Sequence, residues 1–231
     1  MRFAFVKFTA AAALILAAFS VKPSSAQNAD VQKIVQQMDA AAAKFQSATA
    51  DLRWDNYERV VRETTTQTGI IYFQKKGNAT DMGAVIQKPA KKVVAYSGGL
   101  LKMYEPNIDS LTLIDTSKNQ AEVESFLTLG FGGSGTALEK QWAITSQGTE
   151  TIDGVQTAKL DLVPKQESIK KSCTHITIWL DTARGVTLKQ QIFMPSGDQK
   201  ISYYTNIKVN GKIDAKTFEI KTTSKTAVKR P

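Results

Sequence analysis

Cys173 and His175 are the single cysteine and single histidine of the chain, and they stand two residues apart. On a strand that spacing turns both side chains to one face. A thiol beside an imidazole can serve as nucleophile and base, or as two ligands of a metal. Either use needs a further orienting or ligating group, and no second His or Cys exists to supply it. The pair therefore reads as two neighbours on a sheet surface. Gly130-Phe131-Gly132-Gly133-Ser134-Gly135 fits the bare spacing G-x-G-x-x-G. That fingerprint binds dinucleotides only between a parallel strand and a long helix, with an acidic residue further along. Here a helical pattern precedes it and antiparallel patterns surround it, so the segment reads as a flexible link or hinge. Glu58, Glu63, Asp81 and Asp109 carry carboxylates that nothing in the sequence draws together, and they read as solvated charge. No G-x-S-x-G, H-E-x-x-H or P-loop spacing is present. No catalytic residue, metal or cofactor is expected.

The N-terminus explains why the rest of the chain need not carry cytoplasmic chemistry. Arg2 and Lys7 precede an uncharged apolar run from Phe8 to Val21, and Ser24-Ser25-Ala26 offers small residues for cleavage before Gln27. This is the pattern of a secretory signal peptide over residues 1–26, and the run is too short for a membrane span. The expected product is a soluble, exported, periplasmic domain over residues 27–231. Cleavage takes Arg2, Lys7 and Lys22 from the 30 basic residues and none from the 21 acidic ones, leaving 27 against 21, a net +6. The lysines are scattered and gathered on no helix face, which argues against nucleic acid. They leave a solvated surface or a dock for an acidic partner or headgroup. With one Cys there is no internal disulfide, and packing alone must hold the fold.

The elements follow from periodicity. Val31, Ile34, Val35, Met38, Ala42 and Phe45 form one apolar helical stripe, with Asn28 or Asp30 as its cap. Ala48, Ala50, Leu52 and Trp54 then alternate with polar residues, the mark of a sheet with one wet face. Further strands are expected over Thr64 to Phe73, Met82 to Ile86, Lys92 to Tyr96 and Leu100 to Tyr104, the last two joined by a Gly98-Gly99 turn. Leu111 and Leu113 continue the pattern. A short helix through Ala121, Val123, Phe126, Leu127 and Leu129, the glycine link, and a second short helix to Trp142 interrupt it. Strands resume around Asp153-Gly154, and Phe218 and Ile220 are expected to close them. The sum is an α+β fold: a curved antiparallel sheet of about ten strands, an incomplete barrel, covered by the N-terminal helix and short mid-chain helices.

So few helices leave apolar sheet surface to cover. The alternation assigns the inner, cavity-lining face to Leu52, Trp54, Ile71, Phe73, Met82, Ile86, Val94, Tyr96, Leu101, Met103, Leu111 and Leu113. Phe126, Leu127, Leu129 and Phe131 become a movable lid over it. Such a cavity suits flexible chains, since each methylene withdrawn from water contributes about 0.8 kcal/mol.

Several local patterns, in fixed order, resemble the outer-membrane lipoprotein carrier (LolA) family. They are Phe45-Gln46-Ser47-Ala48-Thr49-Ala50 after the helix, Gly69-Ile70-Ile71-Tyr72-Phe73, and Lys88-Pro89 before a strand. Gly98-Gly99-Leu100-Leu101-Lys102-Met103-Tyr104-Glu105-Pro106 and Leu160-Asp161-Leu162-Val163-Pro164-Lys165 follow. Asn206-Ile207-Lys208-Val209-Asn210 with Ile213 and Phe218-Glu219-Ile220 come last. Family members carry an Arg after the Lys-Pro step that helps lock the lid, whereas this chain has Lys91, Lys92, Val93 and Val94. The resemblance implies a half-barrel monomer that carries acylated lipoprotein or lipid toward the outer membrane. It also implies an inner-membrane ABC release complex as donor and an outer-membrane acceptor. A regulator or adaptor of the envelope on the same fold is the alternative reading, and an enzyme is the third.

Overall fold

The computed structural model describes residues 25–77 and 79–231. Most of the expected signal segment lies outside the described residues. Helix α1 (Ser25–Lys44) already includes Ser25 and Ala26, so Asn28 and Asp30 lie inside it rather than capping it. Its buried stripe is Val31, Val35, Met38 and Ala42, continued by Phe45 just past its end. Two side chains hold that end. Lys75 Nζ donates to Ala42 O at 3.1 Å. Asn210 Nδ2 donates to Lys44 O at 3.0 Å, while its Oδ1 accepts from Gln46 N at 2.8 Å. The last carbonyls of the helix thereby gain the partners that a helix end lacks.

Six strands then meander: β1 (Ser47–Glu58), β2 (Glu63–Lys76), β3 (Ala79–Lys88), β4 (Lys92–Ser97), β5 (Leu100–Glu105) and β6 (Ser110–Asp115). Two helices follow, α2 (Gln120–Leu127) and α3 (Gly135–Gln141). The second meander is β7 (Trp142–Ile152), β8 (Val155–Pro164), β9 (His175–Asp181), β10 (Val186–Phe193) and β11 (Gln199–Val209), with α4 (Glu167–Lys170) between β8 and β9. A three-residue strand, β12 (Ala227–Lys229), ends the described chain. All twelve belong to one sheet in the order β12-β6-β5-β4-β3-β2-β1-β11-β10-β9-β8-β7. Among the described residues, only the β12–β6 pair is parallel. The expected curved, open, antiparallel sheet is present, with twelve strands among the described residues rather than about ten. The Gly98-Gly99 and Asp153-Gly154 turns stand where the sequence places them, all four residues at positive φ.

The strand order has one consequence for everything that follows. β11 pairs with β1, so the two meanders fan out in opposite directions and β6 and β7 end up near opposite edges. The chain from Thr116 to Gln141 must therefore cross the sheet. It crosses on the concave side, where α1 also lies. The tail after β11 makes the reverse journey on the other side. Phe218, expected in a closing strand, lies instead in a 3-10 turn at Ala215–Phe218, over the Cα of Gly83 on β3. Ile220 is likewise outside any strand. Gly83 shares β3 with the inward-facing Met82 and Ala84 but points the other way, so Phe218 covers the convex face.

Candidate functional site

Cross-strand register sorts the concave face into rows. One row runs Ala48, Phe73, Met82, Tyr96, Leu101 and Ile114 through β1 to β6. The next runs Ala50, Ile71, Ala84, Val94, Met103 and Thr112. A third holds Leu52, Gly69, Ile86 and Lys92, and beyond it stands Trp54. Ten of the twelve predicted lining residues thus share one face. Leu52, Ile71, Phe73, Met82, Ile86 and Tyr96 are buried in its core; Trp54, Val94 and Leu101 are partly buried and packed against it. Met103 is half-buried.

Leu111 and Leu113 do not join them. They pair with Tyr104 and Lys102, which alternate with the inward Leu101 and Met103, so both leucines face the convex side. β6 reads Leu111-Thr112-Leu113-Ile114, apolar on both faces, and its alternation therefore fixes no phase. The inward pair is Thr112 and Ile114.

The crossing segment fills the concave face. Phe131 is buried and stacks on Phe73, ring centroids 4.4 Å apart and planes within 8°. Its other side meets Tyr204 edge-on at 4.9 Å. Tyr204 donates to Gln190 Oε1 at 3.3 Å, and burial pushes its phenol up to about 12. Leu127 and Val123 pack against the same cluster, while Leu129 and Phe126 belong to a second cluster around Leu160, Leu162, Ile176 and Ile178. The four residues expected to form a lid straddle two cores, and Leu129 and Phe131 are fully buried in them.

The segment is not uniformly held. No residue of α2 is fully buried, whereas Leu129 and Phe131 are. Gly130 O accepts from Thr187 N at 2.9 Å, and Phe131 forms an isolated bridge with Val186. A methyl on Gly132 would lie 2.3 Å from the Phe45 ring, and one on Gly135 would lie 2.5 Å from Val35 O. Gly130 and Gly132 also have φ of 78° and 77°. The glycines therefore let the backbone press against α1 and β10. The expectation of a loose hinge at the link is corrected: it is an anchor, and α2 is the weakly held part. Ser134 caps α3 by accepting from Ala137 N at 3.0 Å. Asp39 of α1 accepts from Thr136 N and Oγ1 at 3.1 and 2.6 Å. Burial raises the pKa of Asp39, but these bonds outweigh it and the net shift is downward.

Two cavities adjoin this arrangement. One of about 550 Å³ lies beside α1, α2, the link and α3, and is lined by Met38, Glu124, Thr128, Leu129, Gly132 and Leu138 among others. The other, about 990 Å³, opens where a register shift breaks the β1–β11 ladder, beside Ala50, Leu188, Tyr204 and Ile207. None of the twelve predicted lining residues borders either one.

Cys173 and His175 part company. Cys173 lies just ahead of β9, buried in the second cluster, and its thiol donates to His175 O at 3.4 Å. Burial pushes the thiol up to about 11, the opposite of what a nucleophile or metal ligand needs. The His175 ring stacks on Phe193 at 4.1 Å, on the half-exposed side. Sequence reasoning missed two groups that the curl of the sheet brings to the concave rim, Lys200 and Lys92. Lys200 Nζ stands 5.2 Å from the centroid of the Trp54 ring. Their signal was a charge at a position whose strand neighbours alternate inward.

No family profile matches the chain, and no curated protein does. Solved structures do. An uncharacterized conserved protein from Thermus thermophilus is 10% identical over 87% of this chain and 99% of its own, with a TM-score of 0.55. MucB is 12% identical over 84% of this chain, with a TM-score of 0.53, and the chain spans 63% of MucB. A LolA superfamily protein from Nitrosomonas europaea is 12% identical over 82% of this chain and 97% of its own, with a TM-score of 0.42. The first two share the fold with this chain.

Proposed function

We propose that the chain is a periplasmic carrier that takes acyl chains of lipoproteins or lipids onto the concave face of its half-barrel. The observation that carries this reading is the relation of α2 to the sheet. A curved apolar face is covered by a segment of the chain that crosses it, and the part over Val123 and Leu127 has no fully buried residue. Such a cover competes with cargo for the same surface. A single long acyl chain gains on the order of 10 kcal/mol on leaving water. Displacing a half-buried helix offsets part of that, and release stays feasible.

In this reading the signal segment at residues 1–26 delivers the protein to the envelope, and residues 27–231 act as a single carrier domain. No described helix is long and apolar enough to cross a membrane. An inner-membrane ABC release complex loads the carrier and an outer-membrane acceptor unloads it. The chain acts by binding, with no catalytic step. The test is mass spectrometry of lipid extracted from protein purified without detergent from the envelope. Stoichiometric lipid is expected. Lipid-free protein that instead retains a protein partner would favour the regulator or adaptor.

A further inference from the structure

The apolar rows of the concave face end at one rim, and the rim is cationic. Trp54 is followed inward-facing on β1 by Asn56, whose register partner on β11 is Lys200. Lys92 pairs with the inward-facing Ile86, so it projects over the same side of the sheet. β11 and β4 are four strands apart in the sheet, about 19 Å along its surface at ~4.8 Å per strand. Both lysines thus project from the concave side of the sheet, Lys200 across the Trp54 ring and Lys92 at the end of the Ile86 row.

The two ammonium groups are not equally provided for. Lys92 has Glu105 Oε1 at 3.6 Å. Lys200 has the Trp54 ring face at 5.2 Å and, among the described residues, no carboxylate within ion-pair distance. Burial first, and Lys92 second, hold its pKa below the usual lysine range. A half-buried cation with no carboxylate beside it is unfavourable unless an anion joins it.

We propose that this rim, Lys200 over Trp54 with Lys92 on the same face of the sheet, holds the anionic headgroup, phosphate or carboxylate, of an amphiphile whose chain lies on the apolar rows. The inference rests on the carrier reading and narrows its cargo to amphiphiles with a negative head, such as a free fatty acid or an anionic glycerolipid. The occupant follows from complementarity. The rows from Ala48 to Leu52 take hydrocarbon, and the rim offers ammonium donors where the hydrocarbon ends.

The test uses the full mature chain and two probes with one fluorescent tail, 11-(dansylamino)undecanoic acid and its uncharged methyl amide. The wild type is expected to bind the acid about tenfold more tightly than the amide, the scale of one added charge-assisted hydrogen bond. In Lys200→Met, which keeps the apolar stem, and in Lys200→Met/Lys92→Met, the ratio is expected to fall toward one. Circular dichroism and the melting temperature check that the variants are folded. Equal affinities in the wild type, or a ratio that survives both variants, would overturn the headgroup site and leave the carrier standing. Failure of both probes to bind would overturn the carrier reading and this one with it. Displacement of the acid by millimolar inorganic phosphate alone would assign the rim to a free anion and overturn the amphiphile.

Discussion

Phe131 lies flat on Phe73, centroids 4.4 Å apart, and so joins the middle of the crossing segment to the middle of the sheet. Such a pair contributes about 1 kcal/mol beyond the area it buries. Under the proposed carrier function the stack is also a plug, since Phe131 covers Phe73 on the apolar face.

Phe131→Ala separates these two roles. Loss of a buried phenyl ring costs roughly 3–5 kcal/mol. The denaturant midpoint should drop accordingly, at unchanged slope. At the same time the emptied space on Phe73 should raise the affinity for an apolar, environment-sensitive dye, measured below the unfolding transition. A drop in stability with no gain in dye binding would mean that Phe131 is core and nothing more.

Gly132→Ala tests the anchor. The added methyl would sit 2.3 Å from the Phe45 ring, at a φ of 77° that L residues avoid. Strain of this kind costs about 1–3 kcal/mol. If the link were a free hinge the variant would melt like the wild type, so differential scanning calorimetry decides between them.

Much of this was legible in the sequence, and the exceptions share a cause. Period-2 alternation placed Leu52 and Met103 on the inner face because Leu52 stands between Asp51 and Arg53 and Met103 follows Lys102. It failed at Leu111 and Leu113, where the convex face is apolar too and Val228 of β12 lies beside Leu111. It also failed at Phe218, whose place over Gly83 is a long-range contact that no local pattern encodes. The helix through Phe126 and the glycines after it were visible. That the glycines serve close packing rather than freedom depends on Phe45 and Val35, far away in the chain. That Lys200 and Lys92 share the concave face follows only from the register of the whole sheet.

Cys173 gives a prediction with a definite sign. Its thiol, near 9 when unfolded, is pushed up to about 11 by burial in the folded chain. Between those values the unfolded chain has released a proton that the folded chain retains. Stability from this residue should therefore be whole below about pH 9 and decline as pH rises toward 11, by at most about 1.4 kcal/mol per pH unit. Cys173→Ala should flatten that part of the profile. At pH 8 the native thiol should resist iodoacetamide, and mass spectrometry of the treated protein reads this directly. Fast native alkylation would show an accessible, activated thiol and reopen the question of chemistry at this position.

Leu127 and Leu129 are two residues apart on the crossing segment, and the carrier mechanism requires them to behave differently. Leu129 is buried among Leu160, Ile178 and their neighbours, next to the Gly130–Thr187 hydrogen bond. A carboxylate there would be a charge within a core, and Leu129→Asp should fail to fold or lose more than about 3 kcal/mol. Leu127 is only partly buried, in a helix with no fully buried residue. Leu127→Asp places its charge against apolar surface that the helix can leave, so the penalty is relieved by α2 detaching rather than by global unfolding. The melting temperature should move little, dye binding should rise, and hydrogen exchange should quicken over residues 120–128 while the strands stay protected. Equal destabilisation by the two substitutions would make α2 as firmly fixed as the link behind it, and the lid would have no moving part.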